Sequence, residues 1–400
     1  MARADRTDSE RGDEQAATLA DSASDRGDAV EADEEYEPSF FEDPKRLVQT
    51  LLFVALLIVA IYVLLPRVIE DQDASARLAH AEVAWIVVAL IFAVAMFAAY
   101  VALFRGVVGE RVSLRWKDSY DITMAGLAAT RLFSAGGAGG IVLTYWALRK
   151  AGLPRKETAS RMVAFLVLLY AVYMATLLIN GILMRTGVFD VPAPPGLTIV
   201  PAAIAGGVIL VFLAMALIPG DLERRFSSAS QEEFWGRAMR RLATVPSTVA
   251  VGTREAITYV RDLSRGGLAV LGAVGFWATQ IGILWASFNA FGVDVPLAVV
   301  VQAFFLGMLA NLIPLPGGVG GVDAGLLGAF ALFGVSHVFA PVLLYRVLAF
   351  WLPIPPGIVA FVQLRKTVKG WEQTRGDADE EGEESDQDRG ADKPLLQKVK

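Results

Sequence analysis

Six uninterrupted apolar runs, each close to the length needed to cross a lipid bilayer, constrain this chain more than any other feature. A helix rises about 1.5 Å per residue, so about 20 apolar residues cover a hydrocarbon core of roughly 30 Å. Hydrophobic residues make up 54% of the chain and charged residues only 20%, a balance that is rare in soluble domains of this length. The sequence therefore predicts an all-α, polytopic membrane protein with about six full spans. The runs cover residues 47–65, 83–104, 162–184, 199–218, 268–291 and 338–361.

The distribution of charge divides the chain into a membrane domain and two polar tails. Residues 1–43 are rich in Asp, Glu, Ser, Ala and Gly, so we expect this tail to be disordered because it has too little apolar surface to offset the ordering entropy. Residues 44–366 form the predicted transmembrane domain, and residues 367–400 form a charged cytoplasmic tail. The acidic start is the reverse of a cleavable signal peptide, so the run at 47–65 is expected to remain as a span.

Several kinds of chemistry are disfavoured by composition. The chain has no cysteine and only two histidines, His80 and His337, which excludes disulfides and thiolate metal sites and leaves little basis for a Cys or His nucleophile. No cofactor or metal is expected. The net charge of -6 resides mainly in the tails and argues against a nucleic-acid partner.

Basic residues between the apolar runs predict the orientation of the first half, because cytoplasmic loops are enriched in Lys and Arg. Four basic residues stand between positions 105 and 117, and five between 149 and 161. The apolar piece between them, residues 120–149, is interrupted by the sequence G-G-A-G-G at 136–140. A piece with basic clusters at both ends is predicted to enter and leave on the cytoplasmic side, as a re-entrant hairpin broken at its glycines.

A second broken piece lies in the other half of the chain. A predicted cytoplasmic loop, residues 219–266, contains eight arginines. The later piece, residues 296–333, is interrupted by G-G-V-G-G at 317–321 and is followed by no basic cluster. If this piece enters the membrane and returns on the external side, the last apolar run, 338–361, crosses inward. The basic residues at 365–369 then lie in the cytoplasm, in agreement with the enrichment of Lys and Arg on that side. Both termini are then cytoplasmic, and the protein is expected in the cell membrane.

The two broken pieces resemble each other. Each glycine cluster is followed by a short helical segment, a Gly-aliphatic pair and a full span. Since the copies enter from opposite sides by the charge count, they predict an inverted repeat of the kind that transporters use to build a midplane site. The alternative is eight conventional spans in which the glycines only produce kinks.

Residues 311–323, N-L-I-P-L-P-G-G-V-G-G-V-D, and residues 343–353, L-L-Y-R-V-L-A-F-W-L-P, carry a family resemblance. They are similar to the lysylphosphatidylglycerol synthase transmembrane-region family, also called flippase-like membrane proteins. The resemblance covers roughly residues 47–365 and implies a role in moving lipids or lipid-linked head groups between leaflets. It does not imply lysylphosphatidylglycerol synthesis, because only a short polar tail stands where bifunctional relatives have an aminoacyl-transferase domain.

Charged side chains at membrane depth are candidate site residues. Asp323 and Arg346 would each cost roughly 2.5–3.5 kcal/mol if they faced lipid at a helix centre, so they are expected to face protein or water. They can form a switchable ion pair or a head-group contact. Alternatively, Asp323 only complements the positive N-terminus of the half-helix that follows the glycines.

A second candidate group surrounds the first glycine cluster. Arg131, Ser134 and Tyr145 can hold a phosphate together with the N–H groups that open the next half-helix, whereas in the alternative Arg131 extends to the interface. Arg161 is expected to anchor the cytoplasmic interface. The remaining predicted cavity residues are Gly137, Gly139, Asn311, Gly318 and Gly320. The glycines can instead serve close helix packing, and Asn311, like Gln280, Gln302 and Asn180, can instead bond a neighbouring helix.

These observations favour a lipid translocator that is not an enzyme. Its expected partner is a membrane lipid, either an anionic phospholipid or a polyprenyl-phosphate-linked lipid, and its oligomeric state is left open. The alternative is a non-catalytic membrane subunit that scaffolds a separate lipid- or glycan-modifying enzyme. An intramembrane transferase is disfavoured by a single buried acid and the lack of Cys and His in the spans.

Overall fold

The computed structural model describes residues 81–109, 114–132, 138–217, 234–309 and 321–391, with side chains omitted at 138, 234–247, 372 and 374–391. The predicted first span and the amino-terminal tail lie outside these residues. Every regular element within them is helical. The helices are α1 (Val83–Val108), α2 (Trp116–Leu132), α3 (Ala138–Lys150), α4 (Arg155–Arg185), α5 (Pro195–Ala216), α6 (Phe234–Arg261), α7 (Leu263–Ala290), α8 (Leu297–Leu309), α9 (Gly321–Leu332), α10 (Phe339–Arg346) and α11 (Ile354–Ala391), with a π-helical turn at Val347–Trp351 between the last two.

Five helices in the described ranges are long and apolar enough to cross a membrane. They are α1, α4, α5, α7 and the continuous stretch Phe339–Trp371, which joins α10 to the first part of α11. Each coincides with one of the predicted apolar runs. The prediction of a multi-pass, all-helical membrane protein is therefore confirmed for the part of the chain that is described.

Helices α1 and α7 pack tightly against each other in opposite directions. A Cβ on Gly106 of α1 would overlap the backbone of Ala269, near the start of α7. A Cβ on Gly272 would overlap the backbone of Leu103, and the Glu82 N–H at the start of α1 donates to the Ala290 carbonyl at the end of α7, at 2.8 Å. Because later residues of α7 meet earlier residues of α1, the two helices are antiparallel, and their glycines permit the close approach.

Two pairs of short helices stand between the long ones. Gly126 of α2 faces Thr144 of α3, and Gly140 faces Thr130, so α2 and α3 form an antiparallel pair. In the second pair, Gly307 of α8 lies against the backbone of Leu326 in α9. Helices α3 and α9 have 13 and 12 residues, or about 20 Å at 1.5 Å per residue, which is shorter than a hydrocarbon core of roughly 30 Å.

The same turn ends the second helix of each pair. Gly152 after α3 and Gly334 after α9 both have a positive φ, of 98° and 76°. The next N–H then donates to the carbonyl five residues back, from Leu153 to Leu148 at 3.1 Å and from Val335 to Phe330 at 3.0 Å. This is a Schellman-type ending, in which glycine adopts the left-handed conformation without a Cβ penalty. The order of long helix, two short helices and long helix thus occurs twice.

The predicted cytoplasmic loop at 219–266 contains a long helix, α6, that the charge count did not anticipate. Its residues Ala250, Thr253 and Ala256 are buried at three-residue spacing, and a Cβ on Gly252 would overlap Val163 of α4. Basic residues mark the polar face of an amphipathic helix as readily as they mark a loop, so charge counting alone does not separate the two. Helix α11 likewise continues to Ala391, through residues predicted as a charged tail.

Candidate functional site

A cavity of about 320 Å³ lies among the described helices. Its walls come from α1, α2, α3, α4, α7, α10 and the π-helical turn, with single residues from α8 and α9. Arg131, which precedes the first glycine cluster, and Gly140, the last residue of that cluster, both line it. Met308 and Val322, which stand before and after the second cluster, line it as well. The residues that flank both predicted helix breaks therefore meet at one cavity.

Arg131, in the last turn of α2, contributes a buried positive charge to this cavity. The residue is only 9% exposed, and its Nη1 donates to the Phe350 carbonyl at 2.8 Å. Its guanidinium carbon lies 5.3 Å from the centroid of the Phe350 ring. No carboxylate in the described ranges forms an ion pair with Arg131. The side chain is thus directed into the protein rather than to the membrane interface, and in the described ranges its guanidinium contacts a carbonyl oxygen and an aromatic ring.

Arg346, at the end of α10, also lines the cavity and is paired with Asp323. Its Nε lies 2.6 Å from Asp323 Oδ1, and its Nη2 donates to Oδ2 at 3.3 Å. Both residues are buried. Asp323 occupies the first turn of α9, where a carboxylate also complements the positive helix N-terminus. Asp323 therefore both pairs with Arg346 and stands at the N-terminal turn of α9, although Asp323 itself does not line the cavity.

Phe350 connects the two arginines. The guanidinium carbon of Arg346 lies 4.4 Å from the centroid of the same ring that Arg131 approaches. Phe350 belongs to the π-helical turn, in which the Leu352 N–H donates to the Val347 carbonyl at 2.9 Å. In that register the donor for the Phe350 carbonyl would be residue 355, which is a proline and has no N–H. The carbonyl accepts from Arg131 instead, so the helix irregularity positions the cavity arginine.

Arg161 of α4 is a cavity-lining residue whose position the sequence analysis missed. Its Nη1 donates to the carbonyls of Val107 and Val108 at 2.6 and 2.5 Å, and its Nη2 lies 2.9 Å from Glu157 Oε1. It therefore bonds carbonyls that have no acceptor role within α1 because they lie at the end of that helix. The Glu157–Arg161 spacing was the available signal for the ion pair, but nothing local pointed to α1. Because its three nitrogens all donate to protein groups, Arg161 stabilises the helix end and offers less to a ligand than Arg131.

Uncharged polar groups complete the interior. Gln280 lines the cavity and accepts a hydrogen bond from the Tyr345 hydroxyl at 2.8 Å. By contrast, Asn180 donates to Gln302 at 2.9 Å, and Gln302 donates to the Leu197 carbonyl at 2.8 Å, which joins α4, α8 and α5 through interhelical bonds. The sequence analysis missed the threonines that line the cavity along α2 and α3. These are Thr123, Thr130 and Thr144.

Other predicted site residues are not part of the described cavity wall. Tyr145 is half-buried in α3 and does not line the cavity, whereas the neighbouring Thr144 does. Gly139 lies in the first turn of α3, one residue before the cavity-lining Gly140. The remaining predicted residues lie outside the described ranges. They are Ser134, Gly137, Asn311, Gly318 and Gly320.

Comparison with known proteins places the chain in a family. The sequence model described as "Lysylphosphatidylglycerol synthase TM region" matches residues 47–357. A protein of Methanothermobacter thermautotrophicus named "UPF0104 membrane protein" is 28% identical over 207 residues, which cover 47% of this chain and 57% of that relative. Another of the same name and organism is 30% identical over 115 residues, 27% of this chain and 34% of the relative. The aligned region thus spans little more than half of the first relative. Since the family match covers well over half of the residues, this chain is a multi-pass membrane protein that belongs to the lysylphosphatidylglycerol synthase TM region family.

Proposed function

We propose that this protein translocates an anionic or phosphate-linked membrane lipid and is a transporter, not an enzyme. The observation that carries the proposal is Arg131, a buried guanidinium at the cavity with no carboxylate partner in the described residues. Unpaired charges inside a membrane are costly and mark ligand or ion pathways. A lipid phosphate supplies the missing negative charge and matches the planar donor array of arginine. The family description, which refers to a lysylphosphatidylglycerol synthase, supports a lipid as the ligand.

The proposed membrane arrangement is an inverted repeat with two re-entrant hairpins. It is supported by helices α3 and α9, which are too short to cross a bilayer alone. It is also supported by α1 and α7, the long helices that precede each short pair. In an inverted repeat, equivalent helices run in opposite directions, and α1 and α7 are antiparallel neighbours. On the count of basic residues, both termini face the cytoplasm in this arrangement, with the protein in the cell membrane.

The ion pair between Arg346 and Asp323 gives the proposed cavity a second arginine that can exchange partners. In the structure, Asp323 neutralises Arg346. An incoming phosphate would compete for the same guanidinium, which already lines the cavity. Because the pair joins α9 to α10, this exchange would loosen one hairpin from the neighbouring span. We propose that this loosening accompanies passage of the head group.

Translocation in reconstituted vesicles tests the proposal. Fluorescent phosphatidylglycerol in the inner leaflet should become accessible to a membrane-impermeant quencher faster in vesicles that contain the wild-type protein than in empty vesicles. The Arg131→Gln variant should slow this by about tenfold or more, the effect of losing a charged hydrogen bond of about 1.5–3 kcal/mol. The control Arg185→Gln alters an exposed arginine in the last turn of α4 and should leave the rate unchanged.

The alternative of a scaffolding subunit predicts a different result. A scaffold would accelerate translocation of neither phosphatidylglycerol nor a polyprenyl-phosphate lipid, even as the wild type. That result, with correctly folded protein in the vesicles, would reject the translocator. Unchanged transport by Arg131→Gln would reject the role assigned to Arg131.

A further inference from the structure

We infer that the lipid enters the cavity sideways between α3 and α4, with a compact phosphate head group at Arg131 and the acyl chains left in the bilayer. This inference rests on the proposed function and adds the route and the size class of the substrate. It predicts that the cavity recognises lipids whose head group is small, such as glycerophospholipids, and does not admit heads that carry an oligosaccharide.

The size of the cavity limits what it can enclose. Its volume of about 320 Å³ is at the lower end of the roughly 300–1,000 Å³ that is typical of pockets for small molecules. Such a volume accommodates a phosphate with a short polar substituent. It does not accommodate two acyl chains, each of which covers about half of a roughly 30 Å hydrocarbon core. If the ligand is a lipid, its chains must lie outside the cavity.

An opening toward the bilayer is indicated by the lining residues that are also exposed. Ile141 of α3 is 43% exposed and Tyr170 of α4 is 50% exposed, whereas the other lining residues are buried or half-buried. Helix α3 packs mainly on α2, and α4 packs mainly on α5 and α6. Helices α3 and α4 contact each other less than they contact these partners. Helix α4 is long and apolar enough to cross a membrane, so in a bilayer its exposed face would contact acyl chains.

The chemistry of the wall changes with its exposure. The two exposed lining residues, Ile141 and Tyr170, form an apolar and aromatic rim, whereas Thr144 is half-buried and Arg131 is only 9% exposed. A membrane lipid has the same order of groups, with hydrocarbon outside and a charged phosphate at its end. A soluble phosphate has no apolar group that would pack against the rim. A cavity with both an apolar rim and a buried arginine therefore favours a lipid.

Photocrosslinking tests the route. A p-benzoylphenylalanine replaces Ile141 or Tyr170, and as a control replaces Ile179, which is 56% exposed on α4 but does not line the cavity. Full-length protein is placed in nanodiscs with phosphatidylglycerol that carries tritium in its acyl chains. We expect labelling at all three positions. When Arg131→Gln is added, labelling should fall about tenfold at Ile141 and Tyr170 but not at Ile179. A fall of about tenfold corresponds to the loss of one charged hydrogen bond.

The result that overturns the inference is labelling at Ile141 and Tyr170 that responds to Arg131→Gln no more than labelling at Ile179 does. Thermal unfolding of each variant verifies that the cavity is folded before labelling is compared. Excess unlabelled phosphatidylglycerol should compete at Ile141 and Tyr170, whereas a polyprenyl-diphosphate lipid with an attached oligosaccharide should not. Equal competition by both would overturn the limit on head-group size.

The same variants separate failure of the route from failure of the proposed function. If Arg131→Gln abolishes translocation but leaves labelling at Ile141 and Tyr170 unchanged, the lateral route is wrong and the translocator stands. If the wild type moves no lipid across vesicles, the proposed function fails, and photolabelling then measures a lipid-binding site without transport.

Discussion

The Nε atom of Arg346 lies 2.6 Å from Oδ1 of Asp323, which joins the last residue of α10 to the first turn of α9. Both side chains are buried, and the same arginine lies over the ring of Phe350. This ion pair therefore connects the short helix after the second glycine cluster to the irregular turn that positions Arg131. A change at either residue should affect both the stability of the protein and the shape of its cavity.

Replacing Arg346 by Ala should lower the free energy of unfolding by an amount on the order of 3–5 kcal/mol, because Asp323 would remain as a buried, unpaired charge. Translocation of labelled phospholipid should also be lost. The double variant Arg346→Ala with Asp323→Ala should recover part of the stability but not the transport. Denaturant unfolding in detergent micelles and the vesicle assay measure the two effects separately.

The control for this prediction is Arg185→Ala, at an exposed position in the last turn of α4. Its unfolding free energy should stay within about 0.5 kcal/mol of the wild type. If the double variant were as unstable as Arg346→Ala, the unpaired carboxylate would not be the cause of the loss. If Arg346→Ala retained full transport, Arg346 would have no role in the proposed exchange.

Arg131 and Arg161 both line the cavity but should respond differently to substitution by Gln. Arg161 holds the carbonyls of Val107 and Val108 and pairs with Glu157, so Arg161→Gln should lower the unfolding free energy by about 3 kcal/mol. Within the described residues Arg131 donates one hydrogen bond, to the Phe350 carbonyl, so Arg131→Gln should cost about 1.5 kcal/mol while it slows transport about tenfold or more. Equal loss of stability in the two variants would contradict the distinction between a helix cap and a ligand-facing arginine.

The close approach of α1 and α7 should not tolerate a side chain at Gly272. A Cβ there would lie against the backbone of Leu103 and the carbonyl of Ala99, so Gly272→Val should destabilise the protein by about 1–3 kcal/mol or more. Gly267, in the same helix, has open space around its Cβ position, and Gly267→Val therefore serves as the matched control. If the two variants had the same unfolding temperature, α1 and α7 could separate at little cost in free energy.

The glycine clusters should be required for transport, as the sequence predicts. Replacing Gly318 and Gly320 together by Leu should restore helicity or block the backbone approach at the cavity, and Gly137 with Gly139 should behave in the same way. The paired control is Gly196 with Gly207 in α5, where a Cβ meets open space. If bulky residues at both clusters leave transport and water accessibility unchanged, the glycines only allow close packing of ordinary spans.

Single-cysteine labelling can test the proposed topology, because the chain has no natural cysteine. Cysteines at Lys150 and Arg241 should react from the cytoplasmic side with a membrane-impermeant maleimide, and cysteines at Asp294 and His337 from the external side. Asp294 precedes α8 and His337 follows α9, so the two positions flank one helix pair. Labelling of Asp294 and His337 from opposite sides would exclude a re-entrant second pair.

Much of the fold could be predicted from the sequence because the signals are local. The apolar runs at 83–104 and 162–184 coincide with α1 and α4, since the length of a membrane helix follows from hydropathy alone. Gly152 and Gly334 mark the ends of α3 and α9 because a left-handed residue favours glycine. The expectation that Asp323 and Arg346 avoid lipid also followed from the cost of a charge in hydrocarbon, and the ion pair agrees with it.

Only the tertiary structure decided where the other charged side chains point. Arg131 meets the carbonyl of Phe350, 219 residues away in the chain, and Arg161 meets that of Val107, 54 residues away. Each arginine follows a hydroxyl residue and precedes an apolar one, so local patterns do not distinguish a cavity arginine, a helix cap and an interfacial anchor. The distinction depends on how each helix is rotated about its axis. That rotation is fixed by packing between distant helices, such as Gly272 against Leu103. It is also fixed by the π-helical turn, which is followed by prolines and leaves one carbonyl available to Arg131.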